Sequence, residues 1–143
     1  MSEVHTRLLR AERDELFPLL EGTSIPDFSR TTVCEGWSVR DVLAHCAAIL
    51  IQVATRADPY GFTPEENQVA VEERRAWPIA DVLAELALGY SLAERSPAVA
   101  KVALGEWIHG GDVRDALGVP DAYASAGLPE ALTLLVERSV ARG

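Results

Sequence analysis

His45, Glu106 and His109 are the side chains whose types and spacing best suit chemistry in this chain, and together they make a ligand set for a divalent metal ion. Glu106 precedes His109 by three residues, so on a helix both leave the same face. Glu-x-x-His is a spacing by which helical bundles gather ligands in their interior, and equally the spacing of an exposed helical pair. Two imidazoles and a carboxylate leave coordination positions open for water or substrate, as a catalytic zinc or similar Lewis acid requires. His45 follows Asp41 by one helical turn and lies in an apolar run. Its ring must satisfy both nitrogens: either Asp41 accepts from one and His45 is a hydrogen-bonded core histidine, or the ring is a ligand.

Asp112 stands three residues after His109. It could orient that imidazole, act as a catalytic general base, or be a solvated helix acid. Arg114 could hold an anionic substrate, with a salt bridge to Asp115 or Glu106 as the more ordinary outcome. His5, in the polar N-terminal turn, reads as exposed and idle. Cys34 and Cys46 match neither CxxC nor a disulfide framework, and Cys46 reads as a structural core thiol. Trp37, Trp77 and Trp107 are spread over separate segments and read as packing residues. Neither a serine nucleophile motif nor a phosphate loop is present.

These side chains need helices to position them. Val4, Leu8, Ala11, Glu15 and Leu19 form a stripe, with Leu9, Leu16 and Leu20 beside it, that predicts a first helix from Glu3 to Leu20, stopped by Gly22. Ser38 with Asp41 three residues on reads as a capping box, and the apolar positions from Val39 to Val53 predict a long second helix ending near Arg56. Asp58-Pro59-Tyr60-Gly61 is turn chemistry. Pro64 to Arg75 predicts a shorter, solvated helix, and Pro78 starts another that ends near Ser96-Pro97. A further helix is expected from Ala98 to Leu117, with Gly110-Gly111 as its weak point: a bend, or a place of close backbone approach. Pro129 to Arg142 predicts an amphipathic terminal helix. With no alternating run or hairpin turn, the fold class is all-α: a four-helix bundle with an additional C-terminal helix, one domain over residues 1–143.

Composition supports that reading, because 48% hydrophobic residues in 143 suffice for a core. A formal charge of -9 without a basic cluster argues against nucleic acid and against an anionic membrane surface. The longest apolar run, Ala44 to Ala54, is far short of the roughly 20 residues of a bilayer span, and the N-terminus lacks a secretory pattern. A cytoplasmic location is the expectation.

The run from Thr32 to His45, containing Gly-Trp-Ser-Val-Arg-Asp-Val-Leu-Ala-His, and the run Glu106-Trp107-Ile108-His109-Gly110-Gly111-Asp112-Val113-Arg114 together resemble the N-terminal domain of the mycothiol-dependent maleylpyruvate isomerase family, within the DinB-like superfamily. Leu9 to Arg13 and Asn67 to Leu86 extend the resemblance over nearly the whole chain. It implies a DinB-like bundle, a divalent metal with zinc first, and a low-molecular-weight thiol, mycothiol, as cofactor or co-substrate. By position His45 matches the first ligand, His109 the last, and Asp112 the acid that follows. The family has its middle Glu four residues before the second histidine, where this chain has Gly105; Glu106 stands one residue later, turned by about 100°. Several members carry a second, C-terminal domain with no counterpart after the last helix here, so activity on maleylpyruvate itself is not implied. The expected function is a thiol-dependent transferase or isomerase acting on a small electrophile, with a homodimer as an allowed assembly. The alternative is a metal-free small-ligand binding or stress-response module.

Overall fold

The computed structural model describes residues 3–56 and 63–142. The turn expected at Asp58 to Gly61 lies outside them. The described residues form α1 (Glu3–Glu21), α2 (Val39–Thr55), α3 (Pro64–Arg74), α4 (Ile79–Ala93), α5 (Ala103–Ala116) and α6 (Leu128–Arg142), with 3-10 turns at Ile25–Ser29 and Pro97–Lys101. No strand occurs among them; Thr31 and Ser38 form an isolated bridge.

The capping box forms as its residues require. The Asp41 amide donates to Ser38 Oγ at 3.3 Å, and the Ser38 amide donates to Asp41 Oδ2 at 3.1 Å. These bonds satisfy backbone donors that the first turn of α2 otherwise leaves unpaired. Beyond the cap, α2 is buried almost continuously from Val39 to Ala48, including His45. It packs against α4, α3 and α5, while α1 packs against α5 and α6. Leu8, Leu9, Val42, Leu43, Leu50, Leu86, Tyr90 and Leu104 fill the space between. The architecture is the expected all-α four-helix bundle, formed by α1, α2, α4 and α5, to which α3 and the C-terminal α6 are added.

Two expectations about helices are corrected. The segment from Ala98 is not one helix: Pro97 and the Ser96 Oγ, which accepts from the Ala98 amide at 3.1 Å, nucleate a separate 3-10 turn, and α5 begins afresh after Val102. The buried face of α1 is also rotated from the stripe of Glu15 and Leu19 towards the residues beside it. It carries Leu8, Leu9, Glu12, Leu16 and Leu20. Glu12 lay off the predicted stripe, and its burial depends on Arg114, a partner from another helix.

Glu12 is fully buried and forms a two-pronged pair with Arg114, whose Nη1 donates to Oε2 at 2.6 Å and Nη2 to Oε1 at 3.1 Å. Arg114 Nε donates to the Ala122 carbonyl at 2.7 Å. The partner expected for Arg114 was Asp115 or Glu106; burial decides otherwise, since a buried guanidinium needs a carboxylate that is buried beside it. Gly110 makes the approach of α1 possible, because a Cβ there would lie 2.0 Å from Glu12 Oε2. The weak point of α5 is therefore a close approach, made by a side chain from α1.

Removing one partner leaves an uncompensated charge in the core. Arg114→Met is expected to lose about 3–5 kcal/mol of stability. Glu12→Leu combined with Arg114→Met is expected to recover most of that loss, as measured by urea denaturation.

Candidate metal centre

His45 on α2 and Glu106 and His109 on α5 line one cavity of about 190 Å³, together with Cys46, Ile49, Lys101, Val102 and Gly105. Helix α5 crosses α2 so that the His45 and His109 rings meet edge to face, with centroids 5.0 Å apart. Trp37, in the loop before α2, covers the other side of His45 at 4.9 Å, and its indole N–H donates to Gln68 Oε1 at 2.9 Å. Trp37 thus serves the site as well as packing.

The expected hydrogen bond between His45 and Asp41 is absent. Asp41 is used by the α2 cap and by Arg75, whose Nε donates to Oδ1 at 3.3 Å. His45 Nδ1 is buried with no partner. Burial first, and then neighbouring His109, lowers the His45 pKa to about 4, so the ring stays neutral and keeps a lone pair available at physiological pH.

Glu106 is 3% exposed, and neither carboxylate oxygen has a hydrogen-bond partner of good geometry, the weakly donating Cys46 thiol beside it included. Burial pushes its pKa up to about 8; the Cys46 thiol opposes the shift and Glu12 adds to it. A buried carboxylate without a counter-charge is costly. A divalent cation in the cavity would take the place of its proton and supply the missing charge, so the residues present fit such an ion. Gly105, one residue before Glu106, faces open space: a Cβ there would meet no atom within 4 Å.

His109 is held from its other edge. Asp112, buried on the next turn, receives the Nδ1–H of His109 at Oδ2, at 3.1 Å. That carboxylate also accepts from the Cys34 thiol at 3.4 Å and, at Oδ1, from the Tyr123 hydroxyl. The Tyr123 ring lies where a Cβ on Gly111 would be, 2.2 Å from its Cδ1. With Nδ1 donating to Asp112, Nε2 is the nitrogen left for the cavity, an arrangement common behind metal-binding histidines. Three donors occupy Asp112, which suits orientation of His109 better than proton abstraction.

Cys34 and Tyr123 are functional neighbours that sequence reasoning missed. Cys34 Sγ, one His109 nitrogen and one Asp112 oxygen lie within 4.8 Å of one another, a convergence among the described residues that does not include His45 or Glu106. No spacing signal marked Cys34, since it comes from the loop before α2 and meets α5 only through the fold. Burial, then the Asp112 charge, pushes the Cys34 pKa up to about 11 and raises that of Tyr123 as well, so both stay protonated donors. His5 also differs from expectation: it is half-buried, with Nδ1 enclosed and unpartnered.

A family model described as the mycothiol maleylpyruvate isomerase N-terminal domain matches residues 9–133. Neither a curated protein nor a solved structure matches the chain. No helix among the described residues is long and apolar enough to cross a membrane.

The raised Glu106 pKa fixes a pH dependence in the metal-free chain. The folded state holds a proton up to about 8 that the unfolded state releases near 4.5, so folding stability falls as pH rises through that window. Glu106→Gln does not titrate. Its stability relative to the wild type is expected to rise steadily across the same window, as measured by denaturant unfolding in chelator; a constant difference would contradict this account.

Proposed function

Given that the chain belongs to the mycothiol maleylpyruvate isomerase N-terminal domain family, we propose that it is a metal-dependent enzyme that uses a low-molecular-weight thiol of the mycothiol kind for transfer or isomerisation on a small electrophile. The observation that carries this reading is Glu106: a buried carboxylate with both oxygens unpartnered, in one cavity with two imidazoles. His45, Glu106 and His109 would hold the divalent ion, zinc first among candidates. Once bound, the ion would supply Lewis acidity that lowers a thiol's pKa and favours the nucleophilic thiolate. The chain needs that help, since Cys34 and Cys46 are both kept protonated by burial and by the carboxylates beside them.

The remaining residues bind, orient and exclude. Asp112 fixes the tautomer and tilt of His109 through Nδ1. Trp37 shields His45 from water. A cavity of about 190 Å³ is smaller than the roughly 300–1,000 Å³ of drug-sized ligand pockets, so it admits the sulfur end of a thiol and leaves the rest of that molecule outside. A metal-free ligand-binding role would leave Glu106 protonated and its oxygens without partners in the cavity, which is why the metal-dependent reading is preferred.

Zinc added to the chelator-treated chain is expected to raise its melting temperature, with a stabilisation of about 2.7 kcal/mol at a hundredfold excess over Kd. His45→Ala is expected to weaken zinc binding in this cavity by more than about tenfold, a loss that a supporting residue alone can cause. Calorimetric titration with zinc checks both. A folded wild-type chain that neither binds zinc nor is stabilised by it overturns the metal-dependent reading.

A further inference from the structure

At the other edge of the His109 ring, Nδ1 meets two donor atoms of different chemistry, a thiol sulfur and a carboxylate oxygen. Cys34 Sγ lies 3.4 Å from Asp112 Oδ2 and 3.9 Å from His109 Nδ1, and His109 Nδ1 lies 3.1 Å from Asp112 Oδ2. Zinc binds sulfur at about 2.3 Å and nitrogen or oxygen at about 2.0–2.2 Å, which at tetrahedral angles sets donors roughly 3.3–3.7 Å apart. The triangle formed by Sγ, Nδ1 and Oδ2 brackets those separations, as three corners of a tetrahedron with the fourth open. We propose that Cys34 Sγ, His109 Nδ1 and Asp112 Oδ2 form a second cation site, for a thiophilic divalent ion of the zinc kind.

The surroundings suit that role. Tyr123 donates to Oδ1 of Asp112, which leaves Oδ2 as the oxygen presented to Cys34 and His109. The Cys34 backbone is tied down by its amide, which donates to Thr32 Oγ1 at 3.1 Å. The His109 side chain is 25% exposed and Asp112 7%, so the set is reachable from solvent while its carboxylate is enclosed. Thiolate and carboxylate together balance a divalent charge. On binding, the thiol proton leaves to solvent and the Nδ1 proton of His109 is replaced by one on Nε2, so the ring stays neutral. A neutral ring has one lone-pair nitrogen. His109 therefore serves the cavity through Nε2 or this set through Nδ1, and the two positions compete.

Cobalt(II) is the probe, because a sulfur ligand gives it a charge-transfer absorption in the near ultraviolet that nitrogen and oxygen ligands do not. The metal-free full chain carrying His45→Ala, which removes the competing position, is expected to show that band on titration. The band should survive Cys46→Ala and vanish with Cys34→Ser, a change of one atom in a half-buried loop residue. Circular dichroism confirms that each variant is folded. No band in the folded His45→Ala chain, or a band that persists without Cys34, overturns the proposal. The cavity ligands are tested separately by cobalt bound to Cys34→Ser, which keeps His45 and Glu106. Either site can therefore fail without the other.

Discussion

The buried Glu12–Arg114 pair is the constraint on which the position of α5 depends. It joins α1 to α5 across the core and, through the Ala122 carbonyl, ties in the segment between α5 and α6. Two charges in an apolar interior must meet in one geometry to offset their desolvation. That fixes how far α5 can slide or rotate against α1. Gly110 belongs to the same constraint, since any side chain there would occupy the space of the Glu12 carboxylate. Glu106, His109 and Asp112 flank Gly110 and Arg114 on α5, so anchoring that helix also positions the candidate ligands.

Around this anchor the polar groups divide into those that are satisfied and those that are not. Asp112 is saturated by His109, Cys34 and Tyr123, and Asp41 by the α2 cap and Arg75. His45 Nδ1 and both Glu106 oxygens are buried without partners. Buried polar atoms in folded proteins are overwhelmingly paired, so these unpaired atoms beside one cavity are the exceptions that the proposed ion would satisfy. His109 stands at the boundary, with one nitrogen turned to the satisfied network and the other left for the orphaned groups.

The departure at Gly105 acquires a physical meaning in this setting. Open space beside Gly105 and a buried carboxylate at Glu106 indicate that the acidic group reaches the cavity from a neighbouring helical position. The family match over residues 9–133 spans α2 and α5 and hence both histidines. Cys34, in the loop that leads into α2, brings sulfur to the far edge of the same ring.

The order of the helices, the Ser38 cap and the chemical identity of His45, Glu106 and His109 were legible in the sequence, because capping and periodicity act over a few neighbouring residues. The Glu106–His109 spacing also gave a shared helix face, and the motif around Gly36-Trp37-Ser38 gave the family. What the sequence could not determine was partnership across helices. Asp41 was read as the acceptor for His45 because it lies one turn away, yet the cap takes it. Arg114 was matched with acids on its own helix, yet it pairs with Glu12, more than a hundred residues away in sequence. Cys34 and Tyr123 carried no signal at all, since each reaches Asp112 only after the chain has folded back on itself. Local hydrogen bonding is written into adjacent residues, whereas a buried charge chooses its partner by depth and distance, which exist only once the core has closed.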